Sequence, residues 1–395
     1  MCLFCAKNQE MRKYIYLVFF ISCGYLSAFA QVNDSLLKKS TKLVFGFEDD
    51  FELQGTQITT KIDSLLHPEF RISGYVSTYY AFYDDDIEVN NFVQFPTLAP
   101  RKDQFSLNMA LLSFEYKSES LRAVVALHYG DVPVSSWPAT FNLIQEAHAG
   151  IRLHKKLWFD AGFFKTHIGL ESFQPRENIT SSMSIPNFYD PYFLSGAKLT
   201  FLATPKLNLQ VCMFNGYNEY IDNNKNKALD FSMNYNPNKR LSFTYNFLTC
   251  DETPDNVKTK HQRYYQNFYA TYIHKKITVG FDVNFGLQEN TLKSDTTKMA
   301  SMYGAILVGK YQFIDQISAY GRLENYSDPN QILATNVDIG ENIKGFTIGM
   351  EFNPQKTVSF SAEWRQLQAD NLIFKQGNTF LNQRNEFIVC LDLWF

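Results

Sequence analysis

Charge is scarce in this chain. Asp, Glu, Lys and Arg make up 19% of 395 residues and the net charge is −3. With a pI near 6.2 there is no basic excess for a nucleic-acid partner. Beyond the amino terminus no run of about 20 apolar residues occurs, which excludes a bundle of membrane helices. The mean hydropathy of −0.25 agrees. Cysteine is sparse as well. Cys2, Cys5 and Cys23 lie within the first 30 residues, and only Cys212, Cys250 and Cys390 follow. That is no disulfide framework, and without a C-x-x-C pair no zinc site is expected. A Gly-rich phosphate loop, H-E-x-x-H and G-x-S-x-G are also missing, so neither a cofactor nor catalysis is expected. Aromatics are what the chain has in excess. Its 36 Phe, 23 Tyr and 4 Trp give 16% aromatic content, too much for a disordered chain.

Met11-Arg12-Lys13, an apolar stretch from Tyr14 to Ala28, and Ala28-Phe29-Ala30 before Gln31 have the order of a secretory signal. Residues 1–30 are read as that leader, with Met11 as the true start. Without them 34 basic residues face 39 acidic ones.

From residue 70 onward apolar and polar residues alternate. Leu241, Phe243, Tyr245 and Phe247 face one way, and Ser242, Thr244 and Asn246 the other. Ile277, Val279, Phe281, Val283 and Phe285 oppose Thr278, Gly280, Asp282, Asn284 and Gly286. This is the strand period. Sixteen such segments span 70–395. Very short connections, such as Asn236–Lys239 and Asn353–Lys356, alternate without exception with long ones such as 83–103 and 165–192. Asn and Pro favour the short turns.

Strict alternation of turn lengths separates the two ends of the sheet. It predicts an all-β fold: a single transmembrane antiparallel up-and-down β-barrel of about sixteen strands, with short periplasmic turns and long external loops. Strands of about ten residues, tilted about 45°, rise roughly 23 Å, the height of an outer-membrane apolar band. Closure removes exposed sheet edges. Tyr79, Tyr80, Phe82, Phe163, Phe164, Tyr264, Tyr265, Tyr311, Tyr326, Trp394 and Phe395 fall near strand ends, where interfacial girdles are expected. Residues 31–69 do not alternate cleanly and are read as a periplasmic lead-in or partial plug.

Trp158-Phe159-Asp160-Ala161-Gly162-Phe163-Phe164, then Ile168-Gly169-Leu170-Glu171-Ser172 and the stretch from Asn178 to Gly196, resemble the OmpL-like β-barrel porins of Gram-negative bacteria. Arg71-Ile72-Ser73-Gly74-Tyr75-Val76 resembles that family's first strand. The closing Phe395 looks like the assembly signal of outer-membrane proteins. What the resemblance implies is a porin-like barrel in the bacterial outer membrane, with passive diffusion as its function.

Strand parity places Arg122, Glu146, Arg152, Asp160, Lys198, Asp282, Arg322, Glu324, Glu363 and Arg365 on the inward, pore-lining face. Asp230, Lys310, Glu351, Arg384 and Glu386 join them, so seven basic residues face eight acidic ones. A charge on the lipid face costs about 2–4 kcal/mol at the midplane, which forces this sorting. The near balance predicts weak selectivity. Loop 165–192 is the longest and carries Lys165, His167, Glu171, Arg176, Glu177 and Asp190. In general porins, which this topology resembles, the loop after strand five folds inward, so these residues are expected at a constriction shared with Arg152, Lys198 and Arg365. Phe173 and Phe188 are the expected anchors. His128, His148 and His167 lie nearest one another in sequence but are read as ordinary polar residues, not metal ligands.

The expected protein is therefore a porin embedded in outer-membrane lipid, passing small hydrophilic solutes. Its rivals are a barrel enzyme of lipase or protease type, and a blocked structural or adhesive barrel. Sequence leaves monomer and homo-oligomer equally open.

Overall fold

The computed structural model describes residues 43–45, 69–86, 88–89, 92–93, 95–334 and 342–395. The leader 1–30, and the lead-in 31–69 apart from Leu43–Phe45 and Glu69, lie outside the described residues.

Sixteen strands form one closed antiparallel barrel. They are β1 Glu69–Tyr83, β2 Phe105–Lys117, β3 Leu121–Tyr129, β4 Ile144–His154, β5 Leu157–Lys165, β6 Phe193–Thr204, β7 Leu207–Phe214 and β8 Ala228–Asn238. The second half is β9 Leu241–Cys250, β10 Arg263–His274, β11 Ile277–Gln288, β12 Ala300–Ile314, β13 Ile317–Ser327, β14 Ile343–Gln355, β15 Val358–Ala369 and β16 Gln383–Trp394. Each strand pairs with its sequence neighbours. Closure comes from β1 against β16, in register from Tyr75 opposite Trp394 to Tyr83 opposite Glu386. Two short helices, α1 Asp131–Ser136 and α2 Ile185–Phe188, lie in the long loops.

Two of the short turns lie slightly further along than the Asn-Pro pairs suggested. β8 runs through Pro237 to Asn238, and the register shifts between Tyr235 and Asn238. β14 likewise runs through Pro354 to Gln355, with a shift between Phe352 and Gln355. A bulge leaves one residue outside the ladder, so a proline that cannot donate is tolerated there.

The apolar faces point outward. Phe346, Ile348, Met350 and Phe352 on β14 are all exposed, while Gly345, Thr347 and Gly349 between them are buried. On β16 the exposed set is Phe387, Val389, Leu391, Leu393 and Phe395, against inward Arg384, Glu386, Ile388, Cys390 and Asp392. An apolar belt this continuous, exposed on a folded chain, requires lipid.

The aromatic girdle needs correction. Phe82, Tyr311 and Phe395 are exposed on the outer face, joined by Phe105, Tyr303 and Phe313. Tyr79, Phe163, Phe164, Tyr265 and Tyr326 are instead buried, and Trp394 is packed inside against their cluster partners. Aromatic count alone does not choose the face. Tyrosine hydroxyls are satisfied by interior carboxylates as readily as by interfacial water: Tyr79 donates to Asp131 at 2.8 Å and Tyr75 to Asp392 at 2.6 Å. In detergent the protein is expected to give a β-rich circular dichroism spectrum and to migrate differently on gels with and without boiling. A helical spectrum would contradict the fold.

Candidate functional site

The interior is dominated by the connection from β5 to β6. Its two ends leave the sheet beside a glycine pair. Gly162 and Gly196 are cross-strand partners with φ of 138° and 157°. A Cβ there would lie 2.4 Å from the Ala147 carbonyl oxygen and 2.1 Å from that of Met213. Only glycine permits that backbone and that approach. Immediately beyond the pair Phe163, Phe164, Phe193 and Leu194 are all buried, so the alternation of inside and outside stops.

The loop then crosses the lumen. Ile168–Pro175 and Asn178–Asn187 are buried throughout. Its backbone amides are satisfied by side chains on the opposite wall. Gly169 N donates to Asn267 Oδ1 at 3.1 Å on β10, and Leu170 N to Asp282 Oδ2 at 2.7 Å on β11. Ile185 N donates to Glu324 Oε2 at 2.8 Å on β13, and Ser181 N to Glu363 Oε2 at 2.9 Å on β15. β13 stands eight strands from β5 in a sixteen-strand ring, so the loop spans the full diameter. A buried amide must find an acceptor, and here the wall's carboxylates supply it. Within the loop, Asn178 closes a turn by accepting from Ser172 N at 2.6 Å and donating to Ser172 O at 2.8 Å. Ser184 caps α2 by accepting from Asn187 N.

A ladder of buried ions extends from this contact. Arg322 reaches Glu171 and Thr180 on the loop at 2.8 and 2.9 Å, and the Ser182 carbonyl and hydroxyl at 2.9 Å each. Arg365 grips Glu324 through Nε and Nη2, both at 2.8 Å, and meets Glu386 at 3.2 Å. Arg384 then joins Glu386 and Asp85, at 2.5 and 2.8 Å. Each of these side chains is 2% exposed or less. Charges so fully desolvated persist only because each is paired and hydrogen-bonded.

Asp190 and Asp282 form the second anchor. The Asn187 amide donates to both, at 2.8 and 2.9 Å, and Tyr265 and Asn284 also donate to Asp190. No cation pairs with either carboxylate among the described residues. Burial, with Glu171 adding repulsion, pushes the Asp190 carboxyl up to about 7. An acid whose pKa is raised by docking is held best in its neutral form. Docking is thus strongest below the ordinary carboxylate value of roughly 4, and weakens as pH rises through about 7. Protease access to the loop is expected to increase on alkalinisation, and Asp190→Asn to flatten that dependence. An unchanged slope in the variant would remove Asp190 from the account.

The expected pore-lining residues divide in two. Asp160, Asp282, Arg322, Glu324, Glu363 and Arg365 are inward but buried, the last five engaged by the loop or the ion ladder. Arg122, Glu146, Arg152 and Lys198 stay partly exposed. Arg122 Nε pairs with Asp160 at 2.6 Å, and Lys165 with Glu177. The wall residues expected to share a constriction with the loop have different neighbours. Arg152 lies over Trp158 at 4.8 Å and Lys198 over Phe164 at 3.8 Å, and of the three only Arg365 belongs to the docking ladder. Glu171 and Asp190 are buried, while Arg176 is exposed and stacks on Trp394 at 4.5 Å. Phe173 is a buried anchor; Phe188 is only half-buried. His128 packs on Trp137 and His148 beside Glu146, so the three histidines do not converge. His167 meets Asp230 instead, at 2.9 Å. Asn187, Asn267 and the Ser181–Ser182 pair went unnoticed in the sequence, and Asn284 was placed on the polar face without a role. The one available signal was polar residues recurring at inward parity, as in Asn267 and Asn284.

A sixteen-strand lipid-facing barrel with its fifth-strand loop across a polar lumen defines an outer-membrane porin. The match to solved structures fits that class. The outer-membrane channel DcaP of Acinetobacter baumannii aligns with 83% of this chain and 97% of its own, at 10% identity and a TM-score of 0.58. An anion-selective porin from Comamonas acidovorans covers 83% and 100%, at 9% and 0.55. Salmonella typhi OmpF, in complex with daunomycin, covers 82% and 97%, at 13% and 0.54. A comparison with curated proteins finds no match. Residues 69–395 match the family model described as "Putative beta-barrel porin-2, OmpL-like", and the chain belongs to that family.

Proposed function

We propose that solutes cross this porin along the β2–β5 side of the lumen, past the loop 165–192, with weak preference for charge and without catalysis. The observation that carries this is the difference between the two walls the loop meets. Its buried face takes up the carboxylates of β11, β13 and β15. On the β2–β5 arc it meets Gln145 and an aromatic cluster, and Glu115, Arg122, Glu146 and Arg152 stay partly exposed there, whereas Lys310 and Glu351 on β12 and β14 pair with each other at 2.9 Å. A wall of mixed sign offers water-filled passage without a strong barrier to either ion. Lys165 and Arg176, with Glu177, sit on the loop's accessible part.

In planar bilayers under a salt gradient, the reversal potential is expected to stay near zero. Neutralising Lys165 and Arg176 together should shift it toward cation preference, because charges in a confined passage are screened less than on an open surface. A strongly selective wild-type channel would place the path elsewhere.

A further inference from the structure

We propose that His167, Cys212 and Asp230 form a binding site for one thiophilic divalent cation of the zinc class, at the seam between the inward loop and the barrel wall. Cys212 and Asp230 are opposite each other in the register of β7 and β8, both facing inward and only 2% and 3% exposed. His167 descends on them from the first turn of the loop. One donor atom from each, sulfur, nitrogen and oxygen, lies within 4.8 Å of the others. The existing contact is the 2.9 Å pair between His167 Nε2 and Asp230 Oδ2.

That pair leaves its site incomplete. The second carboxylate oxygen of Asp230 and Nδ1 of His167 are buried with no hydrogen-bond partner among the described residues. Leaving buried acceptors unmade is costly, and each such atom calls for an explanation. A bound cation at the carboxylate supplies one.

The donor set selects the ion. Calcium and magnesium require about six or more oxygen ligands, and only one carboxylate is here. A thiolate, an imidazole and a carboxylate suit a borderline or soft metal, in a three-ligand site whose fourth position holds water. Tetrahedral bonds of about 2.0–2.3 Å put donors roughly 3.5 Å apart, so the three groups must draw together by about 1 Å. Binding forms the metal–sulfur bond as the Cys212 thiol proton leaves to solvent, and the His167–Asp230 hydrogen bond is exchanged for two metal bonds as the imidazole proton moves from Nε2 to Nδ1. Thiolate and carboxylate together neutralise a divalent ion. Lys198, the register partner of Cys212 on β6, is the nearby opposing charge, and its ammonium is drawn aside over the Phe164 ring.

The backbone already presents the histidine. The His167 carbonyl accepts from Asn246 at 3.3 Å and from Tyr269 at 3.4 Å, and Gly169 N is held by Asn267. An ion at this point would fasten the loop's entry to β7 and β8, as the carboxylates fasten its far side.

The test is titration of the untagged, full-length protein in detergent with Co2+, followed by displacement with Zn2+. One equivalent is expected to give a thiolate-to-cobalt charge-transfer band in the near ultraviolet, abolished by Zn2+. Cys212→Ser should eliminate the band, and Cys250→Ser, which removes another buried thiol, should leave it intact. His167→Gln, a change in the loop that spares the wall, should weaken Co2+ binding by about tenfold or more. Heat-modifiable gel mobility checks that each variant is folded. The proposal is overturned if the folded wild type shows no such band, if the band survives Cys212→Ser, or if affinity is unchanged in His167→Gln.

Discussion

Replacing residues 171–188 with a short flexible bridge is expected to raise single-channel conductance severalfold while leaving the barrel folded. The loop reaches the wall eight strands away, so its removal frees the full diameter. The residues it abandons can tolerate the loss. Asp282, Glu324 and Glu363 face the lumen, where water would replace the lost amide donors from Asn187, Ile185 and Ser181. A carboxylate that returns to water regains its solvation, so the polar wall does not demand the loop for stability. Planar-bilayer recording gives the conductance, and heat-modifiable mobility reports the barrel. Unchanged conductance would show that the loop does not set the resistance of the pore.

Arg322→Met should have the opposite character, leaving the loop in place but poorly held. Among the described residues Arg322 is the guanidinium that binds both the loop, through Glu171, Thr180 and Ser182, and the wall, through Glu324. Removing one member of a buried ion pair leaves a desolvated charge behind, at a cost of about 3–5 kcal/mol. Glu171 then has every reason to leave for water and take the loop with it. Faster proteolysis within 165–192 and noisier open-channel current are the expected results. Adding Glu171→Gln removes the stranded charge, and the double variant should recover about 1–3 kcal/mol relative to additivity. Additive losses would mean that the two side chains do not act as a unit.

Every barrel strand could be placed from period-two alternation, because the lipid face and the polar lumen impose opposite demands on successive residues. The bulges at Pro237 and Pro354 lengthened two strands beyond the Asn-Pro signals, since proline can sit in a strand where the ladder is already broken. The charged members of loop 165–192 were visible as residues, but their fates were not. Glu171 and Asp190 became buried anchors and Arg176 remained accessible, a difference that depends on which wall the loop meets.

Parity along each strand was enough to determine a closed sixteen-strand barrel, its inward charges and its alternation of turns and loops. Those features follow from contacts between near neighbours and from the solvent on each face, both written locally. Only the tertiary structure decided that Tyr265 and Phe164 turn inward, that Arg322 grips Glu171, and that Cys212, Asp230 and His167 come together. Residues 151 positions apart in the chain, as Arg322 and Glu171 are, carry no periodic trace of one another. Their pairing arises from the path of one loop across the lumen, where each buried amide and charge takes the partner within its reach.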